Sequence, residues 1–285
     1  MPIDGLSLVG FMARQEGCTY LAERCFVEDS DPAALSALWA AARDRLGPAN
    51  RRAGKPEIRE LPDSLSNHLE KVRESEGFEE LTESFPDVQF ALVEIGPLLA
   101  YQPHVETARS DDLCRNFAGD IHSPADLAEI CLPAQSESFT PQVTQSEGSV
   151  IIHSESLNLR VIRSGLFELD SGTHDVVAGV YLGMGCPLLH VARFEGRYFL
   201  RNGFHRVYGL QKLGVTHMPC VVVPARHFED TGALGSGMTF GRDVLLGDFA
   251  PTCAHLTDDR ALPVHLRKTS RVITAMWAES LIIER

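Results

Sequence analysis

The chain of 285 residues is short of the features that would declare its class. It has no basic excess: 26 Lys and Arg stand against 39 Asp and Glu, a net charge of −13. A protein that grips duplex DNA by neutralising phosphates carries the opposite balance, so general nucleic-acid binding is disfavoured. It has no C-x-x-C, and its seven cysteines are odd in number and irregularly spaced. Zinc sites bring paired ligands at short spacing, so none is expected. The plain reading is free thiols in a reducing compartment, the cytoplasm. No apolar run nears the eighteen or so residues of a membrane helix, and the N-terminus lacks the basic-then-apolar pattern of a leader. No membrane partner is therefore expected. There is no internal repeat and no low-complexity tract. No phosphate loop ends in Lys-Ser/Thr, and no G-x-G-x-x-G follows a strand. Ser154, Ser156, Ser164 and Ser171 have no nucleophile elbow around them. His153, His174 and His190 are scattered and read as hydrogen-bonded structural histidines.

What is present is an ordinary globular composition, 44% hydrophobic and 23% charged, enough for a packed core. Residues 1–87 read as a helical N-terminal segment. Its clearest helix is "SDPAALSALWAAARDRLGP", with Asp31 as cap, Pro32 in the first helical position and Gly47 after the last. Leu35, Leu38, Trp39, Ala42 and Leu46 fall on one face. Such a stripe is core more often than a docking face, and a protein partner at these helices is the alternative. Residues 74–94 carry seven acids and no Lys or Arg, the mark of a solvated helix face. From residue 88 the pattern turns to short apolar segments, first a strand over 88–95. Residues 107–150 are polar and turn-rich, with a short helix after Ser123 and Pro124. "SVIIHSESLNLRVIRSG" alternates like a hairpin. "TGALGSGMTFGRD" reads as a flexible loop, and the period over 272–276 does not separate strand from helix. The fold class is α/β (α+β).

The chemistry is concentrated in "GRYFLRNGFHRVYGLQKLGVTHMPCVVV", residues 196–223. Residues 188–193 and 197–201 read as strands joined at Phe194-Glu195-Gly196. Asn202-Gly203 is a turn, a helix follows from Phe204 or His205, and Gly214 ends it before a buried strand. A helix that starts directly after glycine leaves its first N–H groups unpaired with the dipole behind them, a ready anion site. Five basic residues against one acid between Arg193 and Lys212 add to it. Phosphate binding is then expected at Arg201, Asn202, Gly203, Phe204, His205 and Arg206. The same residues have plainer roles: Arg201 and Lys212 in solvent, Arg206 on a structural carboxylate, His205 as a cap.

The segment resembles the central motif of the ParB/sulfiredoxin superfamily through Gly203-Phe204-His205-Arg206, Gly214 and Pro219. "LLAYQPHV" is similar to the family's opening box through Gln102 and Pro103, with His104 where Arg is usual. The resemblance implies a mixed-sheet core over 88–224 with a polar insertion at about 107–185, a helical N-terminal extension, and a C-terminal extension over 225–285 packed on the core. It implies a nucleotide or other anionic small molecule held at this turn, ATP or CTP with Mg²⁺ among the candidates. Phosphotransfer or nucleotide hydrolysis would need a carboxylate. Glu94, Glu106, Asp111, Asp112 and Asp120 are the candidates, and the plainer reading is loop acids in water. No metal ligand set is assigned. Phe204 replaces the cysteine of sulfiredoxins, so their thiol chemistry is not carried over. The helix pair of partition proteins has no counterpart in the tail. A non-catalytic regulatory module and a DNA-acting nuclease or regulator are the remaining readings.

Overall fold

The computed structural model describes residues 2–28, 30–47, 54–116, 119–135, 140–156, 158–168, 176–233 and 239–278. The chain opens not on a helix but on β1 (Ile3–Ser7), whose Leu6 and Ser7 are buried. Two helices follow, α1 (Arg14–Arg24) and α2 (Pro32–Leu46). The Asp31 carboxylate accepts from the N–H of Ala33 and Ala34, Pro32 takes the first position, and Gly47 ends α2 at φ 63°. Leu35, Ala42 and Leu46 are buried, while the Trp39 indole donates to the Met12 carbonyl at 3.1 Å. The stripe is largely core.

Next come β2 (Ile58–Arg59), α3 (Ser66–Arg73) and α4 (Glu76–Ser84), the last carrying the acidic face. β3 (Gln89–Glu94) lies where the apolar run is read, and β4 (His104–Glu106) runs straight into α5 (Thr107–Asn116). α5 falls in the stretch read as polar turns. Its sequence has almost no apolar stripe, and it is held instead by close packing: Ser110 and Cys114 lie against Gly209, where a Cβ would meet Cys114 Sγ at 3.1 Å. α6 (Pro124–Cys131) is capped by Ser123 Oγ, which accepts from the Asp126 N–H. The strands β5 (Gln142–Ser146), β6 (Ser149–Ser154), β7 (Leu159–Glu168) and β8 (Val176–Met184) come next.

β9 (His190–Phe194) and β10 (Arg197–Asn202) form the expected hairpin. Its turn places both Glu195 (φ 48°) and Gly196 (φ 76°) at positive φ, as a tight two-residue turn requires. α7 (Phe204–Lys212), β11 (His217–Pro224), α8 (Arg242–Leu246), β12 (Leu262–Leu266) and β13 (Arg271–Met276) complete the order. The undecided stretch at 272–276 is strand. Residues 234–238 of the glycine-rich loop lie outside the described residues, as do Ser171 and His174.

Contacts group the chain into two units: 1–135 with 188–268, and 136–187 with 269–285. The first contains the N-terminal helices, the strand–helix–strand segment and residues 225–268. Its larger sheet has the order β10-β9-β11-β3-β2. β9 and β11 are parallel and the other neighbours antiparallel, so the sheet is mixed and α7 is the crossover. A second sheet runs β12-β1-β4. Leu98, Leu132, Leu188, Leu189, Val191 and Phe199 are fully buried in this unit. The second unit contains the sheet β13-β6-β5 and the ribbon β7-β8. β6 therefore pairs with β5 across Gly148, and β7 with β8, so "SVIIHSESLNLRVIRSG" is not one hairpin. Alternation marks strands but says nothing of which neighbour each takes. Among the described residues no helix is long and apolar enough to cross a membrane.

Candidate functional site

The turn is built as its residues dictate. Asn202 Nδ2 donates to the Leu188 carbonyl at 3.0 Å and fixes the end of β10. Gly203 then sits at φ 97°, ψ 28°, left-handed, and no side chain caps α7. A Cβ at Gly203 would collide with Leu189 Cδ2, so both the conformation and the space require glycine. Phe204 is buried and packs edge-to-face on Tyr101 at 5.0 Å between centroids.

The arginines of the segment are otherwise employed. Arg206 Nη1 donates to the Ile130 carbonyl at 3.0 Å, in the last turn of α6. Arg201 Nε donates to the Asp230 carbonyl at 2.9 Å, its Nη1 lies 2.8 Å from His190 Nε2, and the guanidinium stacks over Phe85. Arg197 donates to the carbonyls of Leu245, Leu246 and Gly247 at 3.0, 2.6 and 2.9 Å. Lys212 pairs with Asp111 at 2.6 Å. The local basic excess thus satisfies the ends of neighbouring helices and loops, a role that charge counting cannot separate from phosphate binding.

Other residues gather at the amino end of α7. α5 and α7 run side by side in the same direction: Arg109 lies near His205, Ser110 and Cys114 against Gly209, and Asp111 at Lys212. The first turns of both helices, positive ends of two dipoles, therefore lie together. His205 Nε2 is sealed from solvent and has no hydrogen-bond partner among the described residues. Burial, then Arg109 and His104, hold its pKa down at about 3. His104 Nδ1 lies 2.6 Å from the Tyr20 hydroxyl, and burial with Arg24 nearby lowers its pKa to about 4. Arg24 Nε is likewise buried without a partner among the described residues. Among the described residues neither Arg24 nor Arg109 forms an ion pair, and Arg109 is exposed. Two guanidinium groups, two imidazoles that stay neutral and two helix amino ends thus share one region. Arg24 and Arg109 were not legible in the sequence: one lies eighty residues from the opening box, and the other is on the helix that has no apolar period.

The candidate acids are not brought together. Glu106 ends β4 on the same face as His104, two residues away, and its carboxylate has no recorded partner among the described residues. Glu94 accepts from the Glu57 N–H at 3.0 Å. The register pairs His217 with Glu94, Val221 with His190 and His190 with Asn202. Glu94 is therefore about 13 Å along and about 14 Å across the sheet from the turn. Asp111 is committed to Lys212, Asp112 to Arg115 at 2.8 Å, and Asp120 accepts from the His122 N–H at 2.9 Å. Among the described residues no group of three or more His, Cys, Asp and Glu is placed to hold a metal ion. No disulfide links the seven cysteines. His153 bonds Ser270 at 2.9 Å, and His190 the Leu188 carbonyl at 3.2 Å, as structural histidines do.

Comparison with protein-family models, with curated proteins and with solved structures finds no match. The functional reading rests on the geometry.

Proposed function

We propose that the protein binds a phosphate-bearing small molecule, a nucleotide such as ATP or CTP, at the adjoining amino ends of α5 and α7. The observation that carries this is the unbalanced positive set there: Arg24 and Arg109 without ion-pair partners, beside the sealed and unpartnered His205 Nε2. Arg24 Nε is buried with no partner among the described residues, which is costly unless an anion completes it, and Arg109 is exposed and adds positive charge beside it. No side chain hydrogen-bonds at the Gly203 cap, so the first backbone N–H groups of α7 are left for a phosphate. The residues fit the phosphates. They do not include a carboxylate cluster for Mg²⁺, so the ion would arrive on the nucleotide. Binding without turnover is the primary reading, because Glu94, Asp111 and Asp112 are committed elsewhere.

A second reading, nucleotide hydrolysis or phosphotransfer, rests on Glu106, the one candidate acid on the His104 face. A DNA-acting role has less support, because Arg197, Arg201 and Arg206 donate to internal carbonyls instead of lining a surface stripe.

The test is a thermal-shift panel of ATP, ADP, CTP, GTP and pyrophosphate, with and without Mg²⁺. Ligand at a hundredfold its Kd stabilises by about 2.7 kcal/mol, a rise of about 5–10 °C in a chain of this size. The rise should vanish in Arg109→Ala and Arg24→Ala. It should survive in Arg206→Ala, which starts from a lower Tm because the α6 carbonyl loses its donor. No rise with any of these anions, or a rise lost only in Arg206→Ala, refutes the assignment. Phosphate release by the wild type, lost in Glu106→Gln, would establish the second reading.

A further inference from the structure

The sheet of the second unit has the order β13-β6-β5, so β5 has a neighbour on one side only. Among the described residues no strand pairs with its other edge. Edge strands are guarded against pairing with another chain by shortness, charge, an internal proline or a bulge. The first unit uses these devices. β2 is two residues long and carries Arg59, and β12 holds Pro263 and is bridged at Leu266 by Cys25. β5 has none of them. It reads Gln142-Val143-Thr144-Gln145-Ser146, without charge or proline, all exposed, and its register to β6 runs without a shift.

The turn decides which backbone groups face outward. Ser146 and Ser149 flank the two-residue turn Glu147-Gly148, with Gly148 at φ 73°, and close it as a hydrogen-bonded pair. Such pairs alternate along the ladder, so Thr144 and Gln142 also bond to β6. The N–H and C=O of Val143 and Gln145 then point away from it. Two copies of β5 laid antiparallel about Thr144 set Val143 of each opposite Gln145 of the other, and every outward group is matched. A two-fold axis at Val143 would set Gln145 against Pro141, which has no N–H. An axis at Gln145 would set Val143 against Glu147 in the turn. The Thr144 register alone satisfies the whole edge. It also continues the β-branched row Thr274-Ile151-Thr144 into the same row of the second copy.

We propose that β5 is the contact between two copies of this chain, paired antiparallel about Thr144 into a six-stranded sheet. A charged peptide finds no countercharge on the strand, whereas an identical strand finds its own complement. Pairing five residues covers on the order of 400 Å² on each copy, half of the ~800 Å² of a standard interface, so the dimer is reversible, with a Kd on the order of 10–100 µM. A chain of net charge −13 repels its copy, so salt should tighten the association. This contact is independent of the phosphate reading.

Sedimentation velocity of the full chain from about 1 to about 300 µM should show reversible monomer–dimer exchange. Thr144→Lys sets two ammonium groups opposite each other, and Gln145→Pro removes an outward N–H while sparing the β6 pairing. Each should weaken the dimer at least about tenfold. Thr144→Cys should crosslink two copies under oxidised glutathione, well above the wild-type level, because residues facing each other in a non-hydrogen-bonded pair lie within disulfide reach. Val143→Cys should not, since the two copies of that position stand about 8 Å apart. A monomer throughout the range, a dimer unchanged by both Thr144→Lys and Gln145→Pro, or equal crosslinking of the two cysteine variants overturns the proposal. Where a variant fails to fold, the wild-type sedimentation and the remaining variants decide it.

Discussion

Acidification from pH 7.5 to pH 5 should destabilise this protein more than its carboxylates can explain. Three histidines are held neutral by burial: His205 at about 3, His104 at about 4, and His255 at about 4. The unfolded chain titrates each near 6.5. Between these values the unfolded state binds a proton that the folded state refuses, so stability rises with pH and is lost as pH falls below about 6.5. At pH 5 the gap is about 1.5 units, about 2 kcal/mol for each histidine at 1.36 kcal/mol per unit. Three together cost about 6 kcal/mol, comparable with the whole stability of an ordinary domain. Asp230, whose carboxylate is stabilised mainly by the His227 N–H, keeps its contribution above its unfolded pKa and adds nothing in this window. At about 2–4 °C per kcal/mol the expected fall in Tm is about 12–24 °C. Calorimetric melts across pH 5–7.5 measure it, and the slope counts the protons taken up. The double variant His104→Phe, His205→Leu should take up about two fewer protons. A fall of less than about 5 °C, or an unchanged slope in the double variant, refutes the assignment of these rings as buried and neutral.

Three further outcomes are expected. Gly203→Ala forces a left-handed alanine against the buried Leu189, and should lower stability by about 2–5 kcal/mol in urea unfolding. Arg197→Ala removes three charged hydrogen bonds to the end of α8 and the residue beyond, and should cost about 2–4 kcal/mol. Arg197→Lys should recover little of that, because an ammonium group cannot span three carbonyls as the fork does. A thiol reagent at neutral pH should label Cys18 and Cys114, which are partly exposed, and spare the buried Cys25, Cys131, Cys186, Cys220 and Cys253 until the chain unfolds. Burial pushes the Cys25 thiol up to about 11 and Cys131 to about 12, which withholds the reactive thiolate as well as access.

What the sequence made legible was local and directional along the chain. Asp31-Pro32 and Ser123-Pro124 each start a helix where caps belong, and Asn202-Gly203 turns because only glycine takes φ 97° in that space. These signals act over a few residues, so one chain is enough to read them. Strand partners were not legible, because β6 alternates equally well beside β5 or β7, and register is chosen by the whole sheet. α5 was not legible either: small residues packed on Gly209 leave no apolar stripe.

Side-chain destination is the deeper case. Arg206 and Arg109 are the same residue type, each in the first turn of a helix, and the sequence alone ranks Arg206 higher because it stands in the glycine turn. The fold reverses the order. α6 ends beside Arg206 and offers the Ile130 carbonyl, a helix-terminal acceptor that would otherwise lack a donor. Among the described residues no such carbonyl meets Arg109, which is exposed and lies by a neutral imidazole. A cation is free for a ligand only when no nearer acceptor claims it, and the nearest acceptor is set by elements seventy or more residues away. For that reason the discriminating variant for anion binding is Arg109→Ala, and Arg206→Ala reports on the fold.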